Sequence, residues 1–440
     1  MKASRYNHFF PYEADDSKLI AYNAFSNALA LIDRDKYEMF MGFVEGGTAI
    51  EDEELVGQLK AGCFLIDDDC NELDLLRFRM LKSRYSTRSL GLTITPTADC
   101  NFRCQYCYEK DVIKPDYMTP EIEEAIIKLA ESHMNTIASL HVSWYGGEPL
   151  MAFDVIERLS RKLIALCEEN NVKYSASMVT NGYLLTKDIA QLLTELQINH
   201  VQITLDGSEE VHNQRRPHAD GTGTFNSIIN NLVECKDVMP PISLRINIDK
   251  NNADAGGDVT NHLAAKGLRD KVRPYLGMVT AEKYEKSSCF NSCDFSKEEF
   301  AFFNDFSNAD TLMSRYPIAT RNYCGADSLN SYVIGADGRL YRCWHEVGNH
   351  SRCVGGLVGA VNANENVNLG YLLNDPTTDS TCSECNLLPV CMGGCPYKRE
   401  ACEGDVCSIY KFALNDFMGV IAQKLKLQKS KAEVSNKANH

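Results

Sequence analysis

Cys100, Cys104 and Cys107 stand at C-x3-C-x2-C spacing in the segment Cys-Asn-Phe-Arg-Cys-Gln-Tyr-Cys. A 4Fe–4S cluster is ordinarily held by four thiolates. Three closely spaced ones leave one iron with an open position for a substrate, which suits a cluster that does chemistry. A zinc knuckle or a group of buried structural thiols is the alternative for the triplet alone. Further along, Trp144-Tyr145-Gly146-Gly147-Glu148-Pro149 joins two glycines to a carboxylate. The glycines permit positive φ and close approach of backbone to a ligand, and Glu148 is suited to pair with an ammonium group. Later in the chain, Cys324-x13-Gly338-x4-Cys343 is followed by Cys382-x2-Cys385-x5-Cys391-x3-Cys395 and then Cys407. A zinc ribbon is the competing reading of the Cys382 to Cys395 run.

Eighteen cysteines in 440 residues, nine of them between Cys324 and Cys407, exceed ordinary intracellular usage without resembling a short disulfide scaffold. The N-terminus has no apolar signal segment, and no run reaches the ~18 apolar residues of a membrane span. Metal-bound thiolates in a reducing cytoplasm are therefore expected. A net charge of −15 argues against nucleic-acid partners and anionic membrane surfaces. Hydrophobic content of 44% and charged content of 24% are those of a globular protein.

The elements that position these residues follow from periodicity. Residues 1–88 read as a separate module, with strands at residues 18–23, 28–33 and 61–67, helical spacing over residues 36–59, and a closing helix at residues 73–80. From residue 90 to 279 strands and helices alternate. The strands are expected at residues 90–95, 140–144, 173–179, 200–205, 242–248 and 272–278. The clearest helix starts at Thr119-Pro120, an N-cap with proline at the first helical position, and puts Ile122, Ala125, Ile126 and Leu129 on one face. Six βα units predict an α/β fold with parallel strands, helices outside, and a partial (β/α)6 barrel open on one side. A helix over residues 300–313 bridges to the cysteine-rich region. A final helix is expected at residues 412–425, and the polar tail beyond is expected to be disordered. Cys63, Cys70, Cys167 and Cys235 lie in apolar or amphipathic surroundings and read as structural thiols, as His345 reads as structural.

The three-cysteine loop, with Tyr106 just before its last cysteine, resembles that of the radical S-adenosylmethionine (SAM) enzymes. Gly146, Gly147, Glu148 and Pro149 match that family's GGEP segment, which holds the methionine amino group of SAM. Val179-Thr180-Asn181-Gly182 and Thr204-Leu205-Asp206-Gly207 match it at strand ends, where ligand sites of parallel βα folds gather. The resemblance implies that Tyr106, Ser177, Thr180, Asn181 and Arg245, with Asn247 as an alternative, lie around SAM, core packing being the other reading. The later cysteines resemble a SPASM domain with two auxiliary 4Fe–4S clusters. By that resemblance Cys324, Cys343 and Cys395 hold the first, and Cys382, Cys385, Cys391 and Cys407 the second, with Cys402 as an alternative to Cys407.

One departure concerns the fourth ligand of the first auxiliary cluster, for position 318 is Ile. Cys289, Cys293 and Cys353 remain candidates, as does the thiolate of a substrate cysteine. Residues 1–88 resemble a winged-helix-like leader-peptide recognition module, an inert extension being the alternative; residues 89–320 then form the radical SAM barrel, 321–425 the SPASM domain and 426–440 the tail. The resemblance implies a 5′-deoxyadenosyl radical, three 4Fe–4S clusters, a precursor peptide with a leader as substrate, and flavodoxin or ferredoxin as electron donor. Thioether cross-linking from cysteine is the expected reaction. Formylglycine formation on sulfatases and carbon–carbon cross-linking of a peptide are its rivals.

Overall fold

The computed structural model describes the backbone of residues 1–280, 284–306, 311–400 and 406–438, with side chains as far as residue 425 save residue 312. Two compact units form. One joins Met1–Ser83, Asn291–Tyr323 and Asp375–His440; the other joins Arg84–Phe290 and Cys324–Asn374.

In the first unit β1 (Lys2–Ala3), β2 (Asn7–Pro11), β3 (Lys18–Asn23), β4 (Leu29–Asp33) and β5 (Leu65–Ile66) accompany helices Arg34–Gly46, Glu53–Ala61 and Glu72–Arg84. An antiparallel sheet has the order β2-β3-β4, and β1 pairs with β5. The strand expected over residues 61–67 shrinks to two residues. Helix Glu53–Ala61, capped by Asp52 accepting from Leu55 N, takes its first position, and Cys63 turns at φ 58°. Ile20, Tyr22 and Met80 share a core with Leu388, Phe417, Met418 and Ile421, so the two ends of the chain are packed together. The bridging helix is described over Ser292–Phe306; residues 307–310 of the expected span lie outside the described residues. The last helix runs over Tyr410–Ala438 across a kink at Ala413, beyond the expected stop, because the tail is rich in Lys, Gln and Ala, which favour helix.

The second unit is built on β6 (Ser89–Ile94), β7 (Ser139–Trp144), β8 (Lys173–Val179), β9 (Ile198–Leu205), β10 (Ile242–Ile248) and β11 (Val272–Met278). These pair in sequence order, all parallel. β12 (Ser331–Ile334) adds parallel to the free side of β6, and β13 (Arg339–Tyr341) and β14 (Gly355–Gly356) continue antiparallel. The α/β fold with parallel strands expected from the six βα units is present, with its sheet extended past β6. Alternate residues such as Leu92, Val142, Ala176, Ile203 and Leu244 are buried, and helices such as Pro120–His133 and Phe153–Glu169 connect the strands. Ile122, Glu123, Ile126 and Ala130 are the first of these helices' buried residues. Parallel sheets are usually apolar on both faces. Here the other face carries His141, Ser177, Gln202 and Arg245, all accessible at least in part. The sheet is therefore open on a polar side.

Candidate functional site

The cysteine loop follows β6. Cys100 N–H donates to Asp99 Oδ1 at 2.8 Å, and Cys107 N–H to the Cys104 carbonyl at 3.2 Å, which folds the loop into turns. All three thiols remain partly accessible, yet burial is the leading cause that pushes each thiol up, Cys107 to about 12. Cys100 is raised further by the charges of Glu148, Cys104 and Cys107. Ionising such neighbours together is unfavourable until a metal supplies positive charge. Among the described residues no three Cys, His, Asp or Glu side chains close on one point as metal ligands. Thr95 Oγ1 and Asn101 Nδ2 beside the loop are buried without hydrogen-bond partners. The donor set and these orphaned groups fit a cluster with a bound ligand.

Gly146 and Gly147 are required by the chain itself. Gly146 has φ +116°, and a Cβ there would lie 2.2 Å from Thr95 Cγ2; one on Gly147 would lie 2.1 Å from the Asp99 carbonyl. The GGEP turn is thus pressed against the start of the cysteine loop, and Glu148 N–H donates to the Asp99 carbonyl at 2.8 Å. The sequence suggested approach to a ligand; the close approach seen is to residues 95–99. The Glu148 carboxylate is 1% exposed and accepts from Leu150 N at 3.0 Å, Thr180 Oγ1 at 2.6 Å and Asn181 N at 2.7 Å. Burial raises its pKa, and those three donors oppose the rise. Asn181 Nδ2 donates in turn to Asn101 Oδ1 at 2.8 Å. Pro149 starts the short 3-10 turn that follows. Glu148, Thr180 and Asn181 therefore lock the ends of β7 and β8 to the cysteine loop.

Tyr106 stands at the centre of a second network. Its hydroxyl donates to Asp206 Oδ1 at 2.9 Å and accepts from Arg216 Nη1 at 2.8 Å and Asn247 Nδ2 at 3.0 Å. Arg215 bonds Asp206 at 2.9 Å and Asp249 at 2.8 Å, and both aspartates are fully buried. Arg216 lies near enough to Cys104 to draw its thiol pKa down against burial. Sequence reasoning passed over Arg215 and Arg216, although the Arg-Arg pair shortly after Asp206-Gly207 was a visible signal. Ser177 Oγ lies 3.3 Å from His141 Nε2 and 3.1 Å from Ser143 Oγ. Arg245 Nε donates to Asn247 Oδ1 at 2.7 Å, and its guanidinium lies where a side chain on Gly277 would sit, 2.4 Å from the Cβ position.

An aromatic set also went unread. The Tyr108 and Tyr145 hydroxyls share a hydrogen bond. His345 stacks on Tyr108 with centroids 4.1 Å apart, and Trp344 on Tyr145 at 5.0 Å. The rings join the residue after Cys107, the residue before Gly146 and the two residues after Cys343.

The later thiols fall in both units. Cys324 and Cys343 fold with the parallel sheet; Cys382, Cys385, Cys391, Cys395 and Cys407 belong to the other unit. Cys391 feels the charges of Cys382 and Cys385 and the backbone N–H of Ser408. Gly394, at φ +75°, brings Val406 O to 2.1 Å from its Cβ position, which draws the chain before Cys407 onto the Cys391 to Cys395 turn. Cys402 lies outside the described residues. Cys353 is fully buried against Val333 and Tyr341 and donates to the Gly355 carbonyl at 2.8 Å, the habit of a structural thiol. Cys289 is buried too and donates to the Glu285 carbonyl at 3.6 Å.

Residues 94–255 match the model of the radical SAM superfamily. The chain carries a radical SAM domain and is an enzyme. A cysteine-type anaerobic sulfatase-maturating enzyme of Clostridium novyi (strain NT) is 24% identical over 342 residues, which cover 71% of this chain and 89% of the relative. A serine-type anaerobic sulfatase-maturating enzyme of Klebsiella aerogenes is also 24% identical, over 68% of this chain and 77% of the relative. The structure of native anSMEcpe with bound AdoMet and Cp18Cys peptide gives a TM-score of 0.58 at 21% identity, over 76% of this chain and 99% of that one. Streptococcus suis SuiB bound to the precursor peptide SuiA gives 0.51 at 14% identity, over 93% and 99%. No described helix is long and apolar enough to cross a membrane.

Proposed function

We propose that this enzyme is a peptide maturase that forms thioether cross-links from cysteine in a precursor peptide. The observation that carries the proposal is the junction of three neighbouring thiols with the locked GGEP turn, in a chain that also has an N-terminal strand-and-helix module. Cys100, Cys104 and Cys107 would hold a 4Fe–4S cluster. Cys324, Cys343 and Cys395 would hold one auxiliary cluster, and Cys382, Cys385, Cys391 and Cys407 the other. When bound, the reduced cluster and SAM supply a 5′-deoxyadenosyl radical, which removes hydrogen from carbon. The chain's own residues do the placing. Glu148, Thr180 and Asn181 fix the GGEP turn, Tyr106 and Arg216 brace the cysteine loop, and the open polar face of the sheet receives the peptide. The burial of Cys353 and Cys289 supports a fourth ligand drawn from elsewhere, either the partly exposed Cys293 or a substrate cysteine.

Joining thiol sulfur to carbon gives up one hydrogen atom, one proton and one electron, and the electron requires an acceptor of the iron–sulfur class. A cytoplasmic flavodoxin or ferredoxin would supply the reducing electron for SAM. The leader would add to the outer edge of β4, where Ala30 and Leu31 are exposed; main-chain bonds would provide much of the affinity. The likeness to SuiB over nearly the whole chain supports a peptide substrate. The relatives named above favour formylglycine formation as the second reading, and carbon–carbon cross-linking is the third. Anaerobic incubation of reconstituted enzyme with candidate precursors, followed by mass spectrometry, separates them. Loss of two hydrogens with a cysteine protected from alkylation is expected. Conversion of cysteine to an aldehyde establishes the second reading, and loss of two hydrogens with every thiol still alkylated the third.

A further inference from the structure

The six parallel strands β6 to β11 contain not one Asp or Glu, although the chain has 60 acidic residues against 45 Lys and Arg. Their charged residues are Lys173, Arg245 and Arg273, and all three fall on the open face, as do His141 and His200. The carboxylates at the strand ends do not offset this. Asp206 and Asp249 are held by Arg215, and Glu148 is enclosed by three donors. Arg245 is placed for use. Its Nε is held by Asn247, Gly277 leaves room for the guanidinium, and no described residue hydrogen-bonds its two terminal nitrogens. It stands opposite Thr204, two residues before Asp206, on the rung just below the strand ends. A sheet face whose charged residues are of one sign concentrates ligands of the other sign, and a guanidinium fork suits a carboxylate.

We infer that the open face selects a peptide segment bearing Asp or Glu side chains beside the residue to be modified. Arg245 takes a carboxylate next to the reacting position, and Arg273 and Lys173 hold the acidic segment nearer the start of the strands. This rests on the peptide-maturase reading and names its substrate class. SAM has a carboxylate of its own, so the test separates the two sources.

The experiment uses reconstituted holoenzyme with SAM under anaerobic conditions. Three fluorescein-labelled peptides of one length each carry a single cysteine flanked by four Glu, four Gln or four Lys. Anisotropy titrations at low and high KCl are expected to show the Glu peptide binding at least tenfold tighter than the Gln peptide, with the advantage lost at high salt. Equal capture of the Glu and Gln peptides, or capture of neither, overturns the inference. In Arg245→Gln, loss of the Glu advantage with SAM affinity retained assigns the guanidinium to the peptide. Loss of SAM affinity with the Glu advantage intact assigns it to SAM and overturns the role given to it here. Arg273→Gln, at an exposed position where folding is not at risk, should lose several-fold of the advantage; an unchanged advantage there also counts against the inference. A Glu preference without any cross-linked product faults the maturase reading alone, whereas cross-linking of Glu and Gln peptides at equal KM faults this inference alone.

Discussion

Glu148→Gln isolates what the buried carboxylate does. Glu148 accepts three hydrogen bonds through two oxygens, whereas glutamine offers one oxygen and an NH2 group. With the amide oxygen toward Thr180 and Leu150, the NH2 group meets the Asn181 N–H across the 2.7 Å now spanned by a hydrogen bond. With the amide flipped, the Thr180 hydroxyl can turn to accept, but the Leu150 N–H faces a donor. Either way one main-chain donor is buried without a partner and one charge-assisted bond is lost, a penalty of roughly 2–3 kcal/mol. Relieved by local movement of the turn, that penalty corresponds to a fall of roughly 30- to 150-fold in SAM affinity. The assay is equilibrium dialysis of labelled SAM against anaerobically reconstituted protein, with iron content measured in parallel. Thr180→Val, which removes the bond to Glu148 and the one accepted from Gly182 N–H, should cost about 1–2 kcal/mol, and Thr180→Ser little. SAM affinity in Glu148→Gln within twofold of the parent, at equal iron content, would refute the argument that this carboxylate fixes the turn.

Other perturbations follow from the same geometry. Arg215→Met takes the bridging guanidinium from the buried Asp206 and Asp249, leaving Asp206 to Tyr106 and the more distant Arg216, at roughly 3–5 kcal/mol, or about 5–9 °C in Tm for a unit of about 260 residues. Calorimetry of parent and variant at one pH checks the loss. Gly147→Ala forces a Cβ onto the Asp99 carbonyl, and the purified variant should show reduced iron incorporation, measured by colorimetric assay. Removal of residues 1–83 would uncover Leu388, Phe417 and Met418, so the truncated chain should aggregate on expression, read by size-exclusion chromatography. For that reason Leu31→Asp on the exposed edge strand is the cleaner test of leader binding, and it should weaken precursor affinity while leaving SAM cleavage intact.

The six parallel strands were legible because each has apolar residues in alternation or in short runs bounded by turn signals. Their motifs were legible because glycine, carboxylate and thiol spacings are fixed by chemistry. The short strands β12 to β14 were not, since two to four residues carry no period, although Asp337-Gly338 marks the turn between β12 and β13, with Gly338 at φ +77°. Residues 61–67 misled because Phe64, Leu65 and Ile66 are apolar for packing at the end of a helix. The stacking of Trp344 on Tyr145 and of His345 on Tyr108 joins residues some two hundred positions apart, a separation that local pattern cannot bridge. The enclosure of Glu148 was likewise invisible, for its three donors come from two different loops. Composition did carry one thing further than expected. The absence of acidic residues from six strands is plain in the sequence, but only their pairing shows that the cations share one open face.

The most direct test is cleavage of SAM by the anaerobically reconstituted protein with dithionite as reductant. The account predicts 5′-deoxyadenosine and methionine in equal amounts from the parent chain. It predicts neither from Cys100→Ala, Cys104→Ala or Cys107→Ala, even where iron bound by the later cysteines is retained. Absence of both products from a parent protein with its full iron content, or their persistence in the three cysteine variants, would contradict it.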